Sequence, residues 1–197
     1  ASNELPCDTV GGVSKEKIIE LVNVLKNSKL GIVFFGLGLT MSKGKHRNID
    51  AALSLVRDLN AFTKFLICPM RGHYNVTGIG QVLTWQTGYP FAVDFSRGYP
   101  RYSPGEFTAV DVLARGEVDA ALVIAADPVA NFPLVAARRL AEIPLITIEP
   151  HHTPTTELAD VLLPPAIAGI EVEGTAYRMD KVPIRLRKVV NAPEGCL

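Results

Sequence analysis

The sequence predicts an α/β fold built on a mostly parallel sheet. Three observations carry that prediction. Short apolar runs alternate with helix-length segments, most regularly over residues 107–163. Strands and helices alternating in this way imply parallel strands joined by right-handed crossovers. Apolar residues make up 48% of the chain and charged residues 20%, with a mean hydropathy of +0.21. That composition suits a sheet buried on both faces. Finally, four loops rich in Gly, Pro or ionisable residues follow predicted strands, at 36–44, 69–78, 126–131 and 149–153. Open parallel sheets bind ligands beyond the carboxyl ends of their strands.

The elements follow in order. Residues 1–13 read as a polar, glycine-containing tail or linker. Ser14 can cap a helix over 14–27, with Ile18, Ile19, Val22 and Leu25 on one face. Residues 30–35 form a continuous apolar run, the mark of a fully buried strand. It leads into Gly36-Leu37-Gly38-Leu39-Thr40. A G-x-G between strand and helix is where α/β folds place phosphates. The longer G-x-G-x-x-G is absent, since position 41 is Met. Lys43, Lys45 and Arg47 follow and serve either a phosphate or a solvated helix start.

Residues 49–59 predict a helix with Ala52, Leu53, Val56 and Leu59 inward, and 64–68 a strand. The strand delivers the chain to CPMRGHYNVTGIG, residues 68–80, longer and more polar than a usual strand-to-helix loop. Gly72 and Gly78 can take backbone angles closed to other residues and let a ligand lie on bare main chain. Arg71 offers a planar charged fork suited to phosphate or carboxylate. The alternative is an ordinary loop in which Arg71 pairs with a nearby carboxylate. Residues 80–87 predict a short helix, with Trp85 in the core or in a lid, and 91–95 a strand. The segment 96–106 is a surface excursion.

Beyond it come a helix over 107–115, a strand over 120–125, the turn Ala126-Asp127-Pro128, and a helix over 132–142. A strand over 144–148 precedes Glu149-Pro150-His151-His152. A helical turn over 155–159 then leads to a strand over 161–163. Adjacent His151 and His152 point to opposite sides of an extended segment and make a poor pair of zinc ligands. Glu171 and Glu173 read as structural or solvated. Asp127, just past a strand, either meets a nucleotide or caps the next turn. Glu149 is its rival for the nucleotide.

Several classes are disfavoured. Lys plus Arg and Asp plus Glu both number 20, so no global basic field argues for nucleic acid. No apolar run is long enough for a membrane-spanning helix, and the N-terminus lacks a signal-peptide pattern. Cys7, Cys68 and Cys196 are scattered, with no C-x-x-C to make a local zinc or iron–sulfur site. A reduced, cytoplasmic setting is the simple expectation.

The order of these motifs resembles the second half of the molybdopterin-dinucleotide oxidoreductases. The matching blocks are GLGLT, MRGHYNVTG, RGEVDAALVIAADPVANFP and ELADVLLPPAIAGIEVEGTAYRMDKVPIRLRKVV, over about residues 30–190. Within that family the stretch RGHYNVTGIGQVLTWQTGYPFAVDFSRGYPRY looks like the branch formed by the B-type, metal-bearing subunits of formylmethanofuran dehydrogenase. The resemblance implies a three-layer Rossmann-like domain over 14–190, with a tail at 191–197. It also implies molybdopterin guanine dinucleotide carrying tungsten or molybdenum, an iron–sulfur cluster, carbon dioxide and formate as substrates, and partner subunits of the same dehydrogenase.

By the same resemblance, Arg71 and His73 are the catalytic candidates. The cofactor-binding candidates are Gly36, Gly38, Thr40, Gly72, Asn75, Gly78, Asp127, Pro128, Glu149, Asp160, Gly174 and Thr175. Against the guanine of that cofactor, Asp127 is expected to accept the N1–H and 2-amino group as a two-point contact, with Glu149 its rival for the base. No metal ligand is assigned. Met41 stands where the family has a glutamine. None of the three cysteines matches the family's cluster or metal ligands. The chain is therefore expected to be the C-terminal part of the subunit, inactive and without cofactor on its own. Two other classes stay open: a nucleotide-binding module like the central domain of a thiamine-diphosphate enzyme, and an assembly domain within a larger complex.

Overall fold

The structure, a computed structural model, describes residues 7–196. These fall into two compact units, Ala1–Tyr74 and Asn75–Leu197.

The first unit opens on a hairpin, β1 (Thr9–Val10) with β2 (Val13–Ser14), in a stretch that reads as a tail from sequence alone. Its two loop residues, Gly11 and Gly12, have φ of 58° and 81°. Both central residues of such a tight turn need positive φ, which glycine adopts at little cost. Helix α1 (Lys15–Lys26) follows, then β3 (Leu30–Phe35), the single turn α2 (Gly38–Met41), α3 (His46–Leu59) and β4 (Lys64–Pro69). Strands β3 and β4 pair in parallel, Leu30 with Lys64 through Phe35 with Pro69.

The core of this unit is Val56, Leu59 and Phe65, with Leu25, Val33 and Ile67 against it. Full burial of such a side chain contributes about 1.5–3 kcal/mol. Gly31 is small for a reason: a Cβ there would run into the Phe65 ring. The Asn60 amide locks helix to strand, donating to Val56 O at 2.7 Å and Phe65 O at 2.9 Å and accepting from Phe65 N–H at 3.1 Å. Ala52, Val56 and Leu59 face inward as expected. Leu53 is exposed, because it lies one residue, about 100°, off that stripe.

The second unit begins with α4 (Val76–Thr87), then β5 (Val93–Asp94), β6 (Arg101–Tyr102), α5 (Ala109–Ala114), β7 (Ala121–Ile124), α6 (Pro128–Asn131) and α7 (Leu134–Leu140). It continues with β8 (Leu145–Ile148), α8 (Pro154–Glu157), β9 (Val161–Leu163) and the strands β10 (Gly174–Tyr177) and β11 (Pro183–Leu186). Strands β7, β8 and β9 form a parallel sheet in that order. The pairs β5–β6 and β10–β11 are antiparallel.

One face of the parallel sheet packs on α5 and α7 through Leu113, Ala136, Leu140, Ile143 and Leu145. Helix α5 starts at a capping box made by Thr108 and Asp111. Trp85, expected in the core or a lid, is 62% exposed, its ring edge-on to Tyr177 at 5.9 Å. The strand predicted over 91–95 is only two residues long. Among the described residues no helix is long and apolar enough to cross a membrane.

Candidate functional site

In the first unit, the glycine turn and the arginine loop leave the same edge of the sheet. Phe35 pairs with Pro69, and Met70 N–H donates to Phe35 O at 2.7 Å. Gly36 and Gly38 follow β3 in open surroundings, where an added Cβ would meet nothing within 4 Å. The Thr40 hydroxyl donates back to Leu37 O at 2.9 Å. Arg71, Gly72 and His73 follow β4, all exposed. Arg71 has no ion pair or hydrogen bond among the described residues, so the carboxylate partner of the ordinary-loop alternative is not found there. Gly72 is as open as Gly36 and Gly38.

The unusual backbone angles are not on the glycines of this loop. His73 and Asn75 carry them, with φ of 63° and 54°. A left-handed conformation costs a residue with a Cβ about 1–2 kcal/mol, and Asn tolerates it best. Strain of this kind concentrates where a loop must hold a set shape.

In the second unit, Asn75 precedes α4 and its side chain works as an extra rung on β10. Its Oδ1 accepts from Tyr177 N–H at 2.9 Å, and its Nδ2 donates to Thr175 O at 3.3 Å. Gly78 makes room for that amide, because a Cβ on it would collide with the Asn75 side chain. Asn75, Gly78 and Thr175 are thus brought together, and Gly174 starts the same strand.

Asp127 and Glu149 leave the same, carboxyl edge of β7–β8, where Ile124 pairs with Ile148. Asp127 is the N-cap of α6, with Pro128 buried at its first turn. Its Oδ1 accepts from Thr155 Oγ1 at 2.6 Å, Thr155 N–H at 3.2 Å and Ala130 N–H at 3.4 Å. Thr155 is fully buried, and its hydroxyl also accepts from Val129 N–H at 3.0 Å. Three donors thus sit on Oδ1, the oxygen that caps α6, and Oδ2 has no partner among the described residues. One oxygen remains for any ligand. The capping alternative is the one drawn in the hydrogen bonds.

Glu149 is buried, and its Oε1 accepts from His151 N–H and meets His151 Nδ1, each at 3.1 Å. Thr147, two residues earlier on β8, is fully buried, and its hydroxyl has no hydrogen-bond partner among the described residues. Asp160 is at the other end of the sheet. Its carboxylate accepts from Leu145 N–H at 2.8 Å at the amino end of β8. The structure therefore does not bring Asp160 to Asp127 and Glu149. Glu171 accepts from Ile167 N–H at 2.9 Å, and Glu173 pairs with Arg185 at 2.8 Å, structural uses both. Among the described residues no cluster of three His, Cys, Asp or Glu could hold a metal ion.

Thr155 and Tyr177 are the site-shaping residues that sequence reasoning missed. The repeated threonines of HTPTT carried a partial signal, since Thr153 and Thr156 form a capping box around α8.

The fold belongs to a known class. The chain superposes with a TM-score of 0.68 on a chain of the formyltransferase/hydrolase complex of Methylorubrum extorquens, solved with methylofuran. The match covers 93% of this chain and 49% of that one, at 22% identity, a likeness of fold. In sequence, the chain is similar to part of the B-type subunit of formylmethanofuran dehydrogenase. It is 64% identical over 194 residues to that subunit of the tungsten-containing formylmethanofuran dehydrogenase 2 of Methanocaldococcus jannaschii, covering 98% of this chain and 45% of that protein. It is 56% identical over 193 residues to the protein of the same name from Methanococcus maripaludis, covering 98% and 44%. The chain thus spans less than half the length of these relatives. No family profile matches it.

Proposed function

We propose that this chain is the C-terminal part of the metal-bearing subunit of a formylmethanofuran dehydrogenase, which reduces carbon dioxide to formate. The observation that carries the reading is 64% identity across 98% of the chain to a subunit of a tungsten-containing formylmethanofuran dehydrogenase. In the full-length subunit, residues 14–190 take part in a three-layer Rossmann-like cofactor domain. The setting is cytoplasmic, and the other dehydrogenase subunits are the partners.

Taken unit by unit, the free groups suit contacts to the nucleotide half of a pterin guanine dinucleotide, and among the described residues they include no cluster that could hold a metal ion. Gly36, Gly38 and Gly72 leave main chain open to a ligand, and Thr40 stands beside the first turn. Asp127 and Glu149 each keep one carboxylate oxygen free of partners among the described residues. Either oxygen can accept from a guanine N–H. Asn75, Gly78, Gly174 and Thr175 shape the α4–β10 contact and act on the cofactor through it. Pro128 fixes the turn that carries Asp127. When bound, the tungsten or molybdenum centre supplies the two-electron chemistry.

The chain's own contribution to the reaction rests on Arg71. Its unpaired guanidinium can hold an oxygen of carbon dioxide or formate and stabilise the charge that develops there. His73 is held in the left-handed region two residues on, as a second polar group of the same loop. The test is formate-dependent dye reduction by the assembled enzyme carrying Arg71→Ala. The reading requires activity in the parent enzyme and its loss in the variant with metal content unchanged. A parent complex that holds metal yet shows no formate or carbon dioxide chemistry would contradict it.

A further inference from the structure

Each parallel sheet is covered by helices on one face and largely open on the other, although Ile148 and Leu163 on the open face of β7–β8–β9 are half-buried. In β3–β4 the covered face carries Val33, Phe65 and Ile67. The opposite face presents Leu30, Ile32, Phe34 and Leu66, all exposed, Phe34 at 61%. Ile32 pairs with Leu66, so these side chains stand on one side of the sheet. The same arrangement recurs in β7–β8–β9. Leu122, Ile124, Ile146 and Val161 share a face through the pairs Leu122 with Ile146 and Ile146 with Val161. All four are exposed, Ile124 at 60%.

Parallel sheets occur almost only with both faces buried, because their crossovers lay helices on each side. Sheets of two or three parallel strands with one open apolar face are poor stand-alone structures. Apolar patches of this kind mark a surface that something else covers. The lengths point to what covers it: more than half of the M. jannaschii relative lies outside the matched span. A partner matching a row of Leu, Ile, Phe and Val must be apolar, and a helix with an apolar stripe fits a twisted parallel sheet.

We propose that the open faces of β3–β4 and β7–β8–β9 are docking surfaces for apolar-striped helices supplied by the rest of the full-length subunit. The proposal rests on the reading that the chain is part of a longer subunit; it concerns packing and does not depend on the redox chemistry. Hydroxyl-radical footprinting of the purified full-length subunit, read residue by residue by mass spectrometry, tests it. Phe34 and Ile124 should be modified several-fold more slowly than in the urea-unfolded subunit, and Phe34 as slowly as Phe65, which is 4% exposed. That protection should be the same at every protein concentration. Modification of Phe34 and Ile124 at the unfolded rate would overturn the proposal. So would protection that disappears on dilution to monomers, which would assign the faces to a second copy of the chain.

Discussion

The Asn75 amide occupies the space that a side chain on Gly78 would need. From that position it holds both Tyr177 N–H and Thr175 O on β10, about a hundred residues away along the chain. An N-x-x-G spacing that resembles a ligand motif is, in this geometry, first a clip between a helix start and a strand edge.

The clip predicts opposite outcomes for two neighbouring glycines. Alanine in a helix interior is normally favoured over glycine by about 1 kcal/mol. Gly78→Ala should nevertheless cost the full-length protein about 1–3 kcal/mol of stability, since it must displace Asn75. Gly72→Ala, in open space, should stay within about 0.5 kcal/mol of the parent. Denaturant melts of the two variants check this, and a stabilised Gly78→Ala would remove the clip. If Gly72 faces cofactor, its variant should also lose bound dinucleotide without losing stability.

Asp127 and Thr155 form a second long-range pair. Removing either leaves buried donors or acceptors unmatched, so Asp127→Ala and Thr155→Val should each cost about 1–3 kcal/mol. The double variant should cost less than the sum, with a coupling of about 0.5–3 kcal/mol. Melting curves of the four proteins measure it. An Asp127→Ala variant with parental stability and depleted dinucleotide would instead make Asp127 a ligand alone.

Arg71 carries the opposite signature. Its side chain has no partner to lose among the described residues, so Arg71→Lys should change stability by less than about 0.5 kcal/mol. Lysine keeps the charge but not the fork. Formate-linked activity of the assembled enzyme should fall by about 10²–10³, the scale for removing one preorganised donor. Activity within twofold of the parent (about 0.4 kcal/mol) would make Arg71 a surface residue.

Acid should act on the β5–β6 pair. Asp94 accepts from Ser96 N–H at 2.9 Å and pairs with Arg101, directly opposite it. The Ser96 N–H and then the guanidinium hold its carboxyl below the ordinary 3.8. A carboxyl with a lowered folded value stabilises the fold above pH 3.8 and loses that contribution as pH falls further. Stability measured against pH should therefore drop less steeply below that point in Asp94→Asn than in the parent. Parallel curves would show that the pair contributes nothing.

Much of this was legible in the sequence, and the failures share a cause. Strands at 30–35 and 161–163 were readable from their apolar runs, but the full burial such a run implies was not found: Leu30, Ile32 and Phe34 of β3 are exposed, so β3 is covered on one face only. Helix α4 starts four residues earlier than its pattern predicts, because Asn75 and two buried glycines look like loop until β10 is seen against them. The hairpin β10–β11 went unread for the same reason, as its pairing joins residues across a turn at Lys181 with φ of 68°. The candidate loops were found by following strand ends. The partners of their side chains were not, since Thr155 lies 28 residues from Asp127 and Tyr177 lies 102 from Asn75. Sequence order likewise does not say which edge of a sheet a carboxylate serves, and Asp160 serves the amino end of β8.

The most direct test of the central claim is the metal and nucleotide content of the full-length subunit purified without oxygen. Elemental analysis should find tungsten or molybdenum in stoichiometric amount. Acid hydrolysis of the same sample should release guanine nucleotide together with a fluorescent oxidised pterin. A folded subunit, assembled with its partners, that carries neither metal nor pterin would contradict the account.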